Sequence, residues 1–527
     1  MKVRTDIVKM YKEIHGWVGI VSGLALFIAF YAGAITMFEE PLQRWATPPA
    51  QLAPPVPLER TQELIDRVLA AHPEAADDYQ VHLQTGPERP ARMTWETDLP
   101  GGGGHHEHEI WYAALSPDGA LQVTRQGPSP VAELVDVLHQ QVGLPFPHEV
   151  AMPIMGAVAL LYTIAIVSGL IVLLPSLVKD LFAVRIGRNV KRMWLDVHNV
   201  LGLFSLPFHL IMALTAIIFA FHDQFYDAQG AAFGGAPPPE AAVAGPAPEA
   251  DRSVLGPMGV TARLAEQAPG FQPVEIGYGV GRNGIPTVRV SGRDERYGLR
   301  GPTLGFAELD PYTGDLTGTD YMPGHQDGWS ATVTSFFALH FGNFGGAPVR
   351  WSYFLLGIAG AFLFYTGNLL WIESRRRRER KAGAVQQTRS TKVLAVLTVG
   401  VPLGCVAGIS VTIAAAKPFG ASATEGLHSV VYYAVFLAFT GWALVRGASR
   451  AGSELLAATA LAALSVPATT LLTMGLHPPV VPIVDFLSLI LAFALLIMFR
   501  RTALRARGGP ADSVWANTPQ LAATQQG

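Results

Sequence analysis

Eight apolar stretches, near 16–38, 151–174, 199–221, 349–372, 393–415, 427–446, 454–475 and 480–499, constrain this chain more than any other feature. Each is long enough to cross about 30 Å of hydrocarbon as a helix of roughly 20 residues. Inside a bilayer the backbone must satisfy its own hydrogen bonds, so such stretches are helices. With 50% hydrophobic and 15% charged residues in 527, the chain also retains room for sizeable aqueous segments. The reading is a mainly α-helical polytopic membrane protein with eight transmembrane helices.

Basic residues set the expected orientation, because Lys and Arg close to spans stay on the cytoplasmic side. Lys2, Arg4, Lys9 and Lys12 precede the first span. Arg185, Arg188, Lys191 and Arg192 lie between the second and third, and Arg375 to Arg378 follow the fourth. Arg446 and Arg450, then Arg500, Arg501, Arg505 and Arg507, continue the alternation. Both termini are therefore expected in the cytoplasm, with two large segments, about 42–150 and 222–345, outside the membrane. The first apolar run is followed by Phe38-Glu-Glu-Pro41 rather than by small residues, so it reads as a retained span and not a cleaved signal.

The single cysteine, Cys405, falls in the fifth span. One thiol excludes internal disulfides, a Cys-ligated iron–sulfur cluster and covalent c-type haem. No Walker loop or dinucleotide fingerprint stands in a strand-turn-helix context, which argues against an intrinsic ATP or NADH site. No basic cluster on the outer segments points to nucleic acid.

The first four spans read as two copies of one unit: a span, an outer module, a short interfacial helix and a second span. His15-Gly-Trp-Val-Gly19 opens the first span and His198-Asn-Val-Leu-Gly202 the third. Leu138-His139 precedes the second and Leu339-His340 the fourth, with Gly156 and Gly357 each 17 residues beyond the histidine. Glycine one turn from a histidine lets a helix or a flat macrocycle approach. Two inner and two outer histidines have the composition of two bis-imidazole iron sites, since a pair of neutral imidazoles fills both axial positions of a haem. Asp196 is expected to orient His198. His209 lies 11 residues after His198, about three turns along one face if the helix is straight; it is a further candidate ligand, and its use would release one histidine of the outer pair. A histidine at a membrane interface needs no cofactor, and it is the recurrence in both halves that favours ligation.

Each outer segment reads as a small α+β module. The first combines a helical stretch at Arg60–Leu69 with strands near Tyr79–Gln84, Arg92–Glu96 and Glu109–Ala114 and a turn at Ser116–Gly119. The second has a helix at Val260–Gln267, strands near Val274–Tyr278, Thr287–Val290 and Gly305–Leu309, and a turn at Asp310–Gly314. Pro and Ala dominate 232–250, which reads as a linker. His105, His106 and His108, after four glycines, form a candidate weak divalent-metal site. The domain reading is a first span at 1–41, a first module at 42–138, an interfacial helix with spans two and three at 139–221, a second module at 222–330, an interfacial helix with span four at 331–380, and a four-helix extension at 381–527.

His15-Gly-Trp-Val-Gly, Leu138-His139, Asp196-Val-His198, Leu-Pro-Phe-His209, Leu339-His340 and Asp310-Pro-Tyr-Thr-Gly together resemble the PepSY-associated transmembrane family over about residues 8–380. The resemblance implies a bacterial inner-membrane protein of iron uptake, of the ferric-siderophore reductase type, holding two b-type haems. It further implies a ferric chelate as substrate and an electron donor that the sequence leaves open between a quinol and a cytoplasmic reductase. Two other readings accompany it: a regulatory or binding membrane protein with PepSY-type modules and no redox activity, and a permease for iron or its chelate. The four C-terminal spans depart from shorter relatives, and Asp485 is the ionisable residue within them that invites a role.

Overall fold

A computed structural model describes residues 4–516 apart from 49–51, 87–88, 99–107, 126–128, 178–184, 186–189, 234–252, 282–283, 298–303, 382–386, 421–422, 475–481 and 509–512. Most of the Pro/Ala stretch, His105, His106 and His477 lie outside the described residues.

In chain order the elements are α1 (Thr5–Thr36), α2 (Glu39–Ala46), α3 (Thr61–Ala71), β1 (Asp78–His82), β2 (Met93–Asp98), β3 (His108–Leu115), β4 (Leu121–Arg125), α4 (Val131–Gln140) and α5 (His148–Leu173). They continue with α6 (Val190–Phe204), α7 (Leu206–Ala220), α8 (His222–Phe233), α9 (Pro257–Gln267), β5 (Gln272–Val280), β6 (Pro286–Arg293), β7 (Gly305–Leu309) and β8 (Leu316–Gly318). Then come α10 (Gly328–Phe341), α11 (Gly346–Lys381), α12 (Arg389–Phe419), α13 (Glu425–Arg446), α14 (Ala448–Met474) and α15 (Ile483–Gly508). The chain forms two compact units, one of residues 1–47, 129–221 and 351–527, the other of 48–128 and 222–350.

Among the described residues, seven helices are long and apolar enough to cross a membrane: α1, α5, α11, α12, α13, α14 and α15. The third expected span is instead a broken one. α6 and α7 meet at a 68° bend, with Ser205 outside helical geometry at φ −91°, ψ 6°. Pro207 explains the break, because it has no N–H to continue the helical ladder and is favoured in the first turn of a new helix. The straight three-turn separation expected between His198 and His209 is therefore corrected: the two residues stand on different helical segments.

The second unit departs from two free-standing modules in one respect. All eight strands belong to a single antiparallel sheet ordered β4-β3-β2-β1-β5-β6-β7-β8. The two modules join where β1 pairs with β5, Tyr79 opposite Tyr278 and His82 opposite Glu275, and the two tyrosine rings stack 5.0 Å apart at 12°. Alternation along β5 sends Val274, Ile276 and Tyr278 to one face, where Leu64 and Val68 of α3 and Val260 and Leu264 of α9 complete one shared core. Fusing the sheets removes two exposed edges that separate modules would carry. The expected turns are present: Gly119 and Gly314 both adopt positive φ, 84° and 73°, and Asp310 accepts the amides of Tyr312 and Thr313 at 2.9 and 2.8 Å.

Both Leu-His pairs end short helices, α4 and α10. α10 starts at Asp327, which accepts the Ser330 amide, and stops at Gly342 with φ 60°. After α4 the chain turns through Val142 at φ 50° and Gly143 at φ 74°. A β-branched residue at positive φ is strained, and Val142 is held there by packing against Ala29, Met155 and Ala220.

Candidate functional site

Three histidines of the first unit are held through the same nitrogen, Nδ1. His15, on α1, has Nδ1 2.9 Å from the carbonyl oxygen of Ala165 on α5. A carbonyl only accepts, so Nδ1 carries the proton and Nε2 keeps its lone pair. Gly169, one turn beyond Ala165, makes this approach possible: a Cβ there would stand 2.9 Å from His15 Cε1.

His198, on α6, repeats the arrangement with a side chain in place of the carbonyl. Its Nδ1 is 3.1 Å from Thr366 Oγ1, and that hydroxyl donates its own proton to Leu363 O at 2.8 Å. Thr366 Oγ1 therefore accepts from His198, again leaving Nε2 unprotonated. Ala165 and Thr366 occupy matching places in the repeat, each nine residues after Gly156 and Gly357.

The two inner rings come together with centroids 6.2 Å apart and planes at 71°. Two imidazoles on one metal atom, with bonds of about 2 Å, have centroids about 6 Å apart. Among the described residues no group of three or more His, Cys, Asp or Glu stands ready to hold a metal ion. A metal between His15 and His198 would thus have two protein donors and would need the rest of its ligands from elsewhere, as from a porphyrin. The glycines one turn from each histidine are uncrowded: no atom lies within 4 Å of a Cβ built on Gly19, and at Gly202 only the Leu363 methyls do. The donor set and the glycines fit a bis-histidine b-type haem.

His139, near the end of α4, donates Nδ1–H to Ala29 O on α1 at 2.8 Å. Gly33 is its cradle, with an added Cβ only 2.6 Å from His139 Nδ1. Metal-binding histidines commonly hold their second nitrogen in this way, which fixes tautomer and ring orientation. His340 belongs to α10 of the other unit, its ring 5.6 Å from that of Phe341. His209 is buried at 2% exposure, with Nδ1 bonded to the Tyr162 hydroxyl, Phe30 and Phe208 within 5.5 and 5.7 Å of its ring, and Nε2 without a partner. An orphan ring nitrogen in an apolar bundle is costly, which keeps His209 a candidate ligand.

Against known families, the one described as PepSY-associated TM region matches residues 12–374. The chain belongs to this family. No curated protein matches it. The repeat that carries His15, His139, His198 and His340 lies wholly within the matched part of this PepSY-associated protein, and α12 to α15 lie beyond it.

One expected partner is corrected in the PepSY-associated core. Asp196 does not orient His198: its carboxylate, fully buried, takes the Arg185 amide at 3.0 Å and Arg192 Nε at 2.9 Å. Residues two apart on a helix point to nearly opposite sides, so Asp196 faces the basic loop while His198 faces α11. Thr366, Gly169, Gly33 and Tyr162 escaped the sequence reading. Thr366 was accessible in principle from its repeat position opposite Ala165. Of the outer histidine cluster, His108 opens β3 opposite Asp98.

Proposed function

We propose that this protein is a haem-b electron-transfer protein of the bacterial inner membrane that reduces ferric iron, presented as a siderophore chelate, on the periplasmic side. The observation that carries the proposal is the His15–His198 pair, 6.2 Å apart, with both Nδ1 atoms engaged and both Nε2 lone pairs available. His15 and His198 would hold an inner haem, and His139 would be a ligand of an outer one. His209 is the alternative ligand there. When bound, a haem held by two histidines would supply reversible one-electron transfer.

The chain's own residues do the remaining work. Ala165 O, Thr366 Oγ1 and Ala29 O fix three rings in one tautomer. Phe30, Phe208 and Phe364 exclude water around His209 in the middle of the bundle. Basic residues flanking α1 and α11 favour a cytoplasmic position for the His15–His198 end, and the fused sheet unit is the proposed holder of the chelate. Each ferric ion takes one electron; a quinol donor would serve two ferric ions and release two protons, and a cytoplasmic reductase is the other donor class. Fe(II) is softer than Fe(III) and is held less strongly by hard oxygen chelators, so reduction frees the metal.

The test is an absorption spectrum of the purified protein, before and after dithionite, followed by anaerobic addition of a ferric siderophore. Sharp reduced bands that bleach on mixing are expected. A colourless protein, or bands that persist with every ferric chelate, would overturn the proposal and leave the regulatory or permease readings.

A further inference from the structure

The four C-terminal helices have no histidine repeat, yet α12 and α13 pack against the helix that carries His139, and α14 and α15 hold its neighbour α2. α4 has ten residues, and a helix that short is marginal alone. The direction of a side chain in its last turn is therefore set by what packs around it. α1 covers one side. On the other, Leu134 and Leu138 of α4 share one apolar cluster with Ile409 of α12 and Tyr432 of α13.

The turn after His139 is held from the same direction. Tyr433 Oη donates to Gly143 O at 3.4 Å, and Tyr432 Oη stands 3.7 Å from a Cβ built on Gly143. Next to α4, the helix α2 is pinned by a buried polar network. Trp45 Nε1 donates to Asp485 Oδ1 at 2.9 Å and to Thr470 Oγ1 at 3.1 Å, and Thr470 donates to Asp485 at 3.1 Å. Lys417 Nζ donates to Thr470 at 2.9 Å and sits 4.0 Å from the Trp45 ring centre. Asp485 is only 3% exposed. A carboxylate buried in an apolar bundle is costly unless its donors are fixed, so the network favours one seating of α2 against α12, α14 and α15.

We propose that α12 to α15 form a clamp on α2 and α4, and that Asp485, Trp45, Tyr432 and Tyr433 are positioning residues for His139. This rests on the reading of His139 as a haem ligand, and the test separates the two. Full-length Asp485→Asn and Tyr432→Leu proteins, purified in detergent with and without haem supplementation, are compared with wild type by hydrogen exchange and by redox titration. In haem-depleted protein, exchange across residues 131–144 is expected to rise roughly tenfold, with residues 190–204 unchanged. In haem-loaded protein one of the two reduction waves is expected to move while the other stays. Trp45→Phe, which removes the indole N–H and one ring of the side chain, is the second variant should Asp485→Asn fail to accumulate, and about two- to tenfold faster exchange is expected for it, on the order of one lost hydrogen bond. Unchanged exchange at 131–144 in every variant overturns the clamp whether or not haem binds. Faster exchange in a protein that takes up no haem upholds the clamp and overturns the reductase reading.

Discussion

Gly33→Ala tests how His139 is seated. A Cβ at this position would lie 2.6 Å from His139 Nδ1 and 2.7 Å from Cε1, whereas ordinary contact begins near 3.4 Å. The ring must retreat by about 0.8 Å, the difference between 3.4 and 2.6 Å. Moving away from α1 by that amount stretches the 2.8 Å bond to Ala29 O to about 3.6 Å, beyond hydrogen-bonding range. Loss of the group that orients a metal-binding imidazole weakens metal affinity by about ten- to a hundredfold. Haem titrated into the apo-protein, followed by difference absorbance, should therefore show one of two sites weakened by that factor. Gly441→Ala, in α13, where an added methyl meets nothing within 4 Å, is the matched control with unchanged affinity at both sites. If Gly33→Ala binds two haems as tightly as wild type, His139 is not a ligand held by Ala29.

Thr366→Val removes the acceptor for His198 Nδ1–H while preserving shape; a shifted potential or weakened binding is expected at the His15–His198 site alone, and His15→Ala and His198→Ala should each abolish that same haem equivalent. Asp196→Asn removes the charge facing Arg185 and Arg192, and should lower the melting temperature while leaving the absorption bands in place. Burial, with the carboxylates of Asp136, Glu40 and Glu133, pushes the Glu39 carboxyl up from 4.5 to about 7. The folded protein then keeps a proton that the unfolded chain sheds, so this group's contribution is full below about pH 4.5 and lost as pH rises through about 7. Glu39→Gln, neutral throughout, should melt at the wild-type temperature near pH 4.5 and above it at pH 8, by scanning fluorimetry; equal melting at both would refute the shift.

Features that depend on neighbours in the chain were legible before any coordinates. Apolar runs of span length, turn formers such as Ser116–Gly119 and Asp310–Gly314, and the short helices ending in Leu138-His139 and Leu339-His340 each follow from local hydropathy, periodicity or glycine placement. Pro207 was equally local, and its effect was underestimated because the apolar run continues through it. The partners of the histidines were not legible. Ala165 offers a backbone oxygen, which no side chain announces, and Thr366 resembles any hydroxyl in a span that returns its proton to its own helix.

By itself the sequence determined a membrane bundle with a duplicated histidine-bearing half, since hydrocarbon admits only helices and repetition is visible along the chain. Only the tertiary structure decided that His15 and His198 meet, which nitrogen each offers, and that the two outer modules share one sheet. Those outcomes rest on pairings between residues 150 and 168 positions apart, as at His15–Ala165 and His198–Thr366, and between strands of different modules. Contacts of that range depend on how whole helices and sheets pack, and no local pattern encodes them.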